Sequence, residues 1–272
     1  MSKRRLIAGP WVGEFGWELF AWQGYIRALS RNFDETIVIS RTNSQALYED
    51  FCDNFIPFDP QDNQADSYFM ENLDIKNALI QVLRENKVAL DRYTTIFPPR
   101  RIGMPPYTHY TEKIQLGRYT VLPEYIRFGK EKETEYDYIF HIRNRDLRKE
   151  DNWSIDNWTK LLSLLDSDKV ACIGTHKESG HIEGTKDLRG TSLSDTFDIL
   201  RNAKCILGPS SGPIHLSSLC GCPHVVWGDQ SKSLNRHYTS WNPLSTKVLF
   251  LGEHLYHPTP EHVFEEFSKW IS

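Results

Sequence analysis

Residues 206–228, ILGPSSGPIHLSSLCGCPHVVWG, restrict the fold more than any other stretch of this chain. An apolar run breaks at Pro-Ser-Ser-Gly-Pro, an apolar helical pattern fills residues 212–220, and a second β-branched run opens at His224. Two short apolar strands separated by one helix make a βαβ unit, and strands that are apolar without alternation belong to a parallel sheet covered on both faces. Pro213 suits the first helical turn, with Ser211 or Gly212 at the cap. The free N–H groups and positive dipole end of such a helix stand at the carboxyl edge of the sheet, where α/β proteins bind anions. Ser210 and Ser211 add hydroxyl donors, and His215 lies in the same first turn. An ordinary capped helix with His215 packed or solvated satisfies the same local pattern.

The alternation continues on both sides. In the first half, RLIAG (5–9) reads as a buried strand, followed by a glycine-bearing loop and a helix with Trp17, Phe20, Ala21, Gly24, Ile26 and Leu29 near one face. ETIVIS (35–40) and RYTTIF (92–97) read as strands, 44–53 as a short helix, and 71–86 as a helix carrying Leu73, Ala78, Leu79, Val82 and Leu83. From Pro98 to Pro123 the prolines, glycines and tyrosines predict a loop-rich stretch. In the second half YDYIFHI, KVACIG (169–174), CILG and HVVWG are strands, Ser154 caps a helix bearing Trp158, Leu161 and Leu162, and further helices cover 193–201 and 260–271. With 272 residues there is chain for one large domain or two of about 130. The expected organisation is α/β: a first domain over 1–128, a polar linker over 129–136, a second domain over 137–255, and a final helix in 256–272 packing back on the first domain.

Candidate chemistry lies at the strand ends. FHIRNRDLRKEDNWS (140–154) sets Arg143, Arg145, Arg148 and Lys149 within seven residues, partly neutralised by Asp146, Glu150 and Asp151. Guanidinium forks suit phosphate oxygens, whereas a solvated mixed-charge loop fits the same composition. Position favours the clamp, since this loop and the Ser-Ser-Gly turn leave the same edge of one sheet. After the first strand, GPWVGEFGWELFAWQG (9–24) holds Glu14 in the loop and Glu18 one turn into the helix. A carboxylate there can serve as general base, with Glu14 the better placed; a helix-start charge for Glu14 and a surface or structural pair for Glu18 are the plainer readings. The segment lacks GxGxxG and GxxxxGK[ST], the fingerprints of dinucleotide oxidoreductases and nucleoside triphosphatases.

Composition removes other classes. A net charge of −4, from 32 basic and 36 acidic residues, disfavours a nucleic-acid surface, which needs a basic excess. No apolar run reaches the roughly 18 residues of a membrane span, so membrane contact would be peripheral, and the basic start has too short an apolar stretch for a secretion signal. A cytoplasmic location is expected. Five cysteines without a CxxC pair suit reduced thiols, Cys220-Gly-Cys222-Pro-His224 matches no zinc spacing, and His254, His257 and His262 are too loosely spaced for a metal site. The expectation is therefore no resident cofactor and no metal.

The Gly-Pro-Ser-Ser-Gly-Pro-Ile-His-Leu segment resembles the (D/S)SGxxH turn of the heptosyltransferase-type glycosyltransferases, whose GT-B fold sets two Rossmann-like domains with parallel sheets facing a cleft. Their early Gly-Asp, which supplies the base, is matched by Gly13-Glu14 with Leu19 five residues on, a glutamate replacing the aspartate. His141-Ile-Arg143-Asn-Arg145-Asp146 is similar to the HxRxxD segment of GT-B fucosyltransferases, whose arginine binds the GDP diphosphate. The resemblance implies a metal-independent, inverting transfer of a sugar from a nucleotide-diphosphate donor (GDP, ADP or UDP type) to a hydroxyl of a glycan or glycolipid. The Rossmann-like domain over 1–128 would then be the acceptor side, with Glu14 taking the acceptor proton, and that over 137–255 the nucleotide-sugar-binding side. There Ser210, Ser211, Gly212, His215, Arg143 and Arg145 would hold the diphosphate, and Asp187, or Thr191 with Ser192 in DLRGTS, would line the nucleoside pocket by position. A sugar-nucleotide epimerase or hydrolase of the same fold is the alternative, as is a non-catalytic carbohydrate-binding protein, for which eight Trp and twelve Tyr would offer stacking surfaces.

Overall fold

Apolar strands without a polar face need cover on both sides, and two all-parallel sheets flanked by helices supply it. The computed structural model describes residues 3–59, 74–90, 93–98 and 110–271, and the chain divides into two units, Met1–Tyr125 and Ile126–Ser272. Leu73, Arg92 and much of the proline-rich stretch after Pro98 lie outside the described residues.

In the first unit β1 (Arg5–Ala8), β2 (Glu35–Ser40), β3 (Asn54–Pro57) and β4 (Thr94–Ile96) form a parallel sheet in the order β3-β2-β1-β4. Ile7 stands opposite Ile37 on one side and Thr95 on the other. Ile7, Ile37, Ile39 and Ile56 meet Leu79, Val82 and Leu83 of helix α2 (Ile75–Glu85) to make the core. Helix α1 follows β1 and consists of Phe15–Trp17, a wider π-helical stretch Glu18–Gln23, and Gly24–Ser30. The loop into α1 is tied to the sheet edge, with Gly9 N–H donating to Ile96 O (3.0 Å) and Trp11 N–H to Ile39 O (3.0 Å). Gly9 has φ +126°, and a Cβ there would overlap the Ile39 carbonyl, so only glycine permits this approach. Two elements differ from the sequence reading. Residues 44–53 are no α-helix but a 3₁₀ stretch, Thr42–Leu47, followed by turns, and the proline-rich region contains a hairpin, β5 (Ile114–Leu116) with β6 (Tyr119–Val121). Gly117, at φ +57°, makes that turn.

The second unit orders its parallel strands β12-β11-β10-β7-β8-β9. They are β7 (Tyr138–Phe140), β8 (Val170–Cys172), β9 (Lys186–Asp187), β10 (Cys205–Pro209), β11 (His224–Trp227) and β12 (Val248–Leu251). Counted from β7 this is the 3-2-1-4-5-6 order of the doubly wound fold, and the direction of winding reverses between β7 and β10. Helices α3 (Ile155–Leu162) and α4 (Leu193–Asn202) start at Ser154 and Ser192, whose hydroxyls accept from the N–H groups of Asn157 (3.2 Å) and Asp195 (3.0 Å). Helix α5 (Gly212–Cys220) links β10 to β11, and α6 (Gln230–Asn235) runs on into a π-helical turn, Arg236–Ser240. Trp153, Trp158 and Trp227 pack ring against ring at 4.9–5.4 Å in the core, beside Phe140, Val263 and Phe267.

Val263 and Phe267 belong to the final helix, α7 (Pro260–Ile271), whose apolar face contributes to the core of the second unit. The polar run 129–135 likewise belongs to the second unit. The N–H groups of Lys130 and Lys132 donate to the side chains of Asp198 (2.7 Å) and Asn202 (2.8 Å), and Arg201 pairs with Glu131 at 2.8 Å. Gly129 has φ +86° against the Phe197 carbonyl, where a side chain would collide.

Candidate functional site

In doubly wound sheets the ligand crevice opens outside the carboxyl ends of the two strands at the switch point, here β7 and β10. Strand β10 is buried along its whole length, and the chain leaves it at Ser210, whose N–H donates to Trp227 O (2.8 Å). Ser211 is fully extended (φ −160°, ψ 170°) and caps α5, with Pro213 in the first turn. His215 N–H closes the first helical bond on Ser211 O (3.0 Å), which leaves the Gly212 and Ile214 N–H groups without an intrahelical acceptor. Ser211 Oγ is buried with no hydrogen-bond partner among the described residues. Amides, an unpaired hydroxyl and the positive end of a nine-residue helix therefore converge at this turn, the chemistry of an anion site.

His215 does not stand at the surface of the turn. It is buried, stacked on His237 at 4.4 Å and 15°, with Trp241 edge-on at 4.7 Å. His237 Nε2 lies 3.2 Å from Ser210 Oγ, and His224, also buried, is 5.7 Å from the His237 ring. Burial pushes all three imidazoles down, His224 to about 4 and the other two well below the usual range, with the positive charge of neighbouring histidines and Arg236 adding to the effect on His215 and His237. His237 and Trp241 had no signal in the sequence: RHYTSW carries no periodicity, and only the π-helical turn folds it against the α5 start.

The arginine loop is built differently from a clamp. Arg143 is only 4% exposed, and its guanidinium donates to Leu147 O (2.7 Å), Arg148 O (2.9 Å) and Asn152 Oδ1, with Asp151 at 4.0 Å. Asn152 completes the arrangement by accepting from Arg145 N–H (3.2 Å) and donating to Arg145 O (2.9 Å). A loop leaving a buried strand needs donors for its carbonyls, and Arg143 supplies them; it is the loop's internal pin, a correction to the expectation that it faces phosphate. Arg145, at its base, pairs with Glu178 at 3.4 Å.

Asp187 lies on the edge strand of the second sheet, and Thr191 in the loop that follows it. Asp187 ends β9, three strands from β10 or about 14 Å at the usual strand spacing, and is ion-paired to Arg189 (2.8 Å), which holds its carboxyl below the usual range. Thr191 Oγ1 donates to Leu188 O (2.9 Å) beside the Ser192 cap, so DLRGTS shapes the entry to α4.

In the first unit Glu14 occupies the cap position of α1 in extended conformation (φ −61°, ψ 145°), with no capping bond from its side chain, so its half-buried carboxylate belongs to the loop at the carboxyl end of β1. That loop is held by Arg41, which donates to Val12 O and, at 3.3 Å, to Gly13 O. Glu18 has no exposed surface, and its carboxylate accepts hydroxyls from Ser40, Ser44 (2.7 Å) and Tyr48 (2.7 Å). Burial raises its pKa despite those donors. An acceptor cannot reach it, which corrects its candidacy as a catalytic base.

The loosely spaced histidines are brought together in part. The turns between β12 and α7 bring Glu253, His254 and His262 close enough for their ligand atoms to lie within 4.8 Å, on an exposed surface. None of the three carries a feature of the anion site.

Two Rossmann-ordered parallel sheets in one chain, the second with the Ser210–Ser211 turn at its switch point, are the architecture of the GT-B glycosyltransferase fold. Solved structures agree across the whole length. The glycosyl transferase family 9 protein from Veillonella parvula superposes with a TM-score of 0.61 at 13% identity, covering 100% of this chain and 98% of its own. The E. coli ADP-heptose lipopolysaccharide heptosyltransferase II gives 0.60 at 12%, covering 98% of both chains, and the E. coli heptosyltransferase WaaC with ADP gives 0.60 at 14%, covering 99% and 100%. No protein-family model matches the sequence, and no curated protein matches it. No helix among the described residues is long and apolar enough to cross a membrane.

Proposed function

We propose that this chain is a glycosyltransferase that takes a sugar from a nucleotide-diphosphate donor and gives it to a hydroxyl of a glycan or glycolipid, with inversion and without a metal ion. The observation that carries this reading is the Ser210–Ser211 turn at the β7/β10 switch point, where free amide groups, the buried and unpaired Ser211 hydroxyl and a helix dipole converge. As the donor's C1–O bond breaks, charge gathers on the departing diphosphate, and fixed dipoles answer it in place of a cation. Glu14, on the loop after β1, takes the acceptor's proton as its oxygen bonds to C1, the chemistry of an inverting glycosidase with a sugar hydroxyl in place of water. ADP conjugates are the first donors to examine, since one similar structure is named for ADP-heptose and another was solved with ADP.

The test is a thermal-shift panel with ADP, GDP, UDP, CMP and their common sugar conjugates, with and without EDTA. A ligand that binds only the folded state raises Tm, by the equivalent of about 2.7 kcal/mol at a hundred times its Kd. A selective shift that survives EDTA is expected for one nucleoside diphosphate. No shift with any of them, together with binding of free sugars, would turn the reading into that of a carbohydrate-binding protein.

A further inference from the structure

The stacked histidines behind the Ser210–Ser211 turn have no part in the transfer as described, yet one of them touches it. Resting on the donor reading above, we propose that His237 is the proton partner of the diphosphate site: its Nε2–H donates to Ser210 Oγ, which frees the Ser210 proton for a diphosphate oxygen, and a proton is taken up by His237 as the diphosphate binds.

The argument begins with the inventory of one contact. Ser210 Oγ and His237 Nε2 are 3.2 Å apart, and a single proton lies between them. If the serine donates, its hydroxyl is spent inward and offers an anion only lone pairs, which repel it. If the imidazole donates, the serine proton is free to turn outward. A bound anion therefore selects the second arrangement, and an imidazolium, with protons on both nitrogens, enforces it.

The surroundings say why the charge is absent until the anion arrives. His237 is buried under His215 of α5, stacked at 4.4 Å, under His224 of β11 at 5.7 Å and Phe250 of β12 at 5.8 Å, with Arg236 beside it in the chain. His224 Nδ1 is 3.1 Å from Cys222 O, so that nitrogen carries a proton and donates it, and Nε2 is the atom at which His224 would gain a second one. Arg236 is cationic and each of the other two imidazoles can become so, and together with burial they oppose a charge on His237. A diphosphate at the α5 start brings the opposite charge within reach and reverses that balance. By linkage, a group whose pKa rises on binding strengthens binding as pH falls.

The experiment is isothermal titration with ADP-glucose, UDP-glucose and GDP-mannose, probes whose diphosphate is a diester and does not titrate near neutrality. Wild-type affinity for the conjugate that binds is expected to rise about three- to ten-fold between about pH 8 and about pH 6. Heats measured in buffers of different ionisation enthalpy are expected to report proton uptake. His237→Gln keeps an N–H toward Ser210 but cannot gain a proton, so its binding should be independent of pH, and Ser210→Ala should lose the slope with His237 intact. Flat wild-type binding without proton uptake overturns the proposal and leaves the donor reading standing. A slope that survives Ser210→Ala also overturns it, and this variant decides the matter if His237→Gln does not fold. Binding of none of the three conjugates overturns both readings.

Discussion

Glu18 shows how far a residue's chemistry depends on partners distant in sequence. Its three hydroxyl donors come from Ser40, Ser44 and Tyr48, 22 to 30 positions away, and no local pattern distinguishes it from the exposed glutamate its helix register suggests. Once buried, it binds α1 to the end of β2 and to the 3₁₀ stretch after it. Glu18→Ala leaves those hydroxyls to find new acceptors in a dry site, and a loss of about 2–4 kcal/mol is expected in urea unfolding. The pH dependence has a definite sign. The folded pKa is raised above the ordinary 4.5, so the folded state holds this proton more tightly than the unfolded one. The associated stability is present below about pH 4.5 and declines as pH rises through the folded pKa. Wild type measured against Glu18→Gln across that window should show this decline, since glutamine cannot titrate; a constant difference would mean that the carboxylate ionises as freely folded as unfolded.

At the scale of elements, residues 143–152 are held by one arginine and one asparagine. Arg143 satisfies the carbonyls of Leu147 and Arg148, and Asn152 bonds both backbone groups of Arg145. Arg143→Ala removes three bonds from a buried guanidinium, and a destabilisation of about 2–3 kcal/mol is expected, together with new proteolytic cleavage within the loop. Arg143→Lys should recover little, because an ammonium cannot span the same acceptors. An unchanged melting temperature for Arg143→Ala would show that the loop stands without its pin. Elements were readable in the sequence where they were long and apolar, as with β2, β10, β11, α3 and α7, and where a serine capped them. The missed ones are short or edge pieces: β3 ends in Pro57, β9 has two residues, the β5–β6 hairpin is three residues a side, β12 is a four-residue edge strand and α6 has six residues. Such strands derive their stability from a neighbouring strand more than from their own side chains, so the pattern within them is thin.

For the whole molecule, order along the chain carried more information than residue identity. Strand and helix alternation was enough to anticipate an α/β chain with a parallel sheet, the family resemblance of two strand-end turns implied the second Rossmann-like domain, and structures at 12–14% identity have the same fold over nearly all of this chain. The strand–turn–helix at Ser210–Ser211 was readable because its parts are consecutive in sequence; the histidine stack was not, because it joins residues from α5, β11 and the turn after α6. The two units also separate the two halves of the proposed reaction, with Glu14 in Met1–Tyr125 and the Ser210–Ser211 turn in Ile126–Ser272. If Glu14 takes the acceptor proton, its effect belongs to turnover and not to donor binding. Glu14→Gln preserves size and polarity while removing the base, so kcat should fall by about a hundred- to ten-thousand-fold. The donor-induced rise in Tm should stay at its wild-type value, because the proposed diphosphate contacts lie in the other unit. Loss of that rise would make Glu14 a donor-binding residue, and unchanged turnover would require another base.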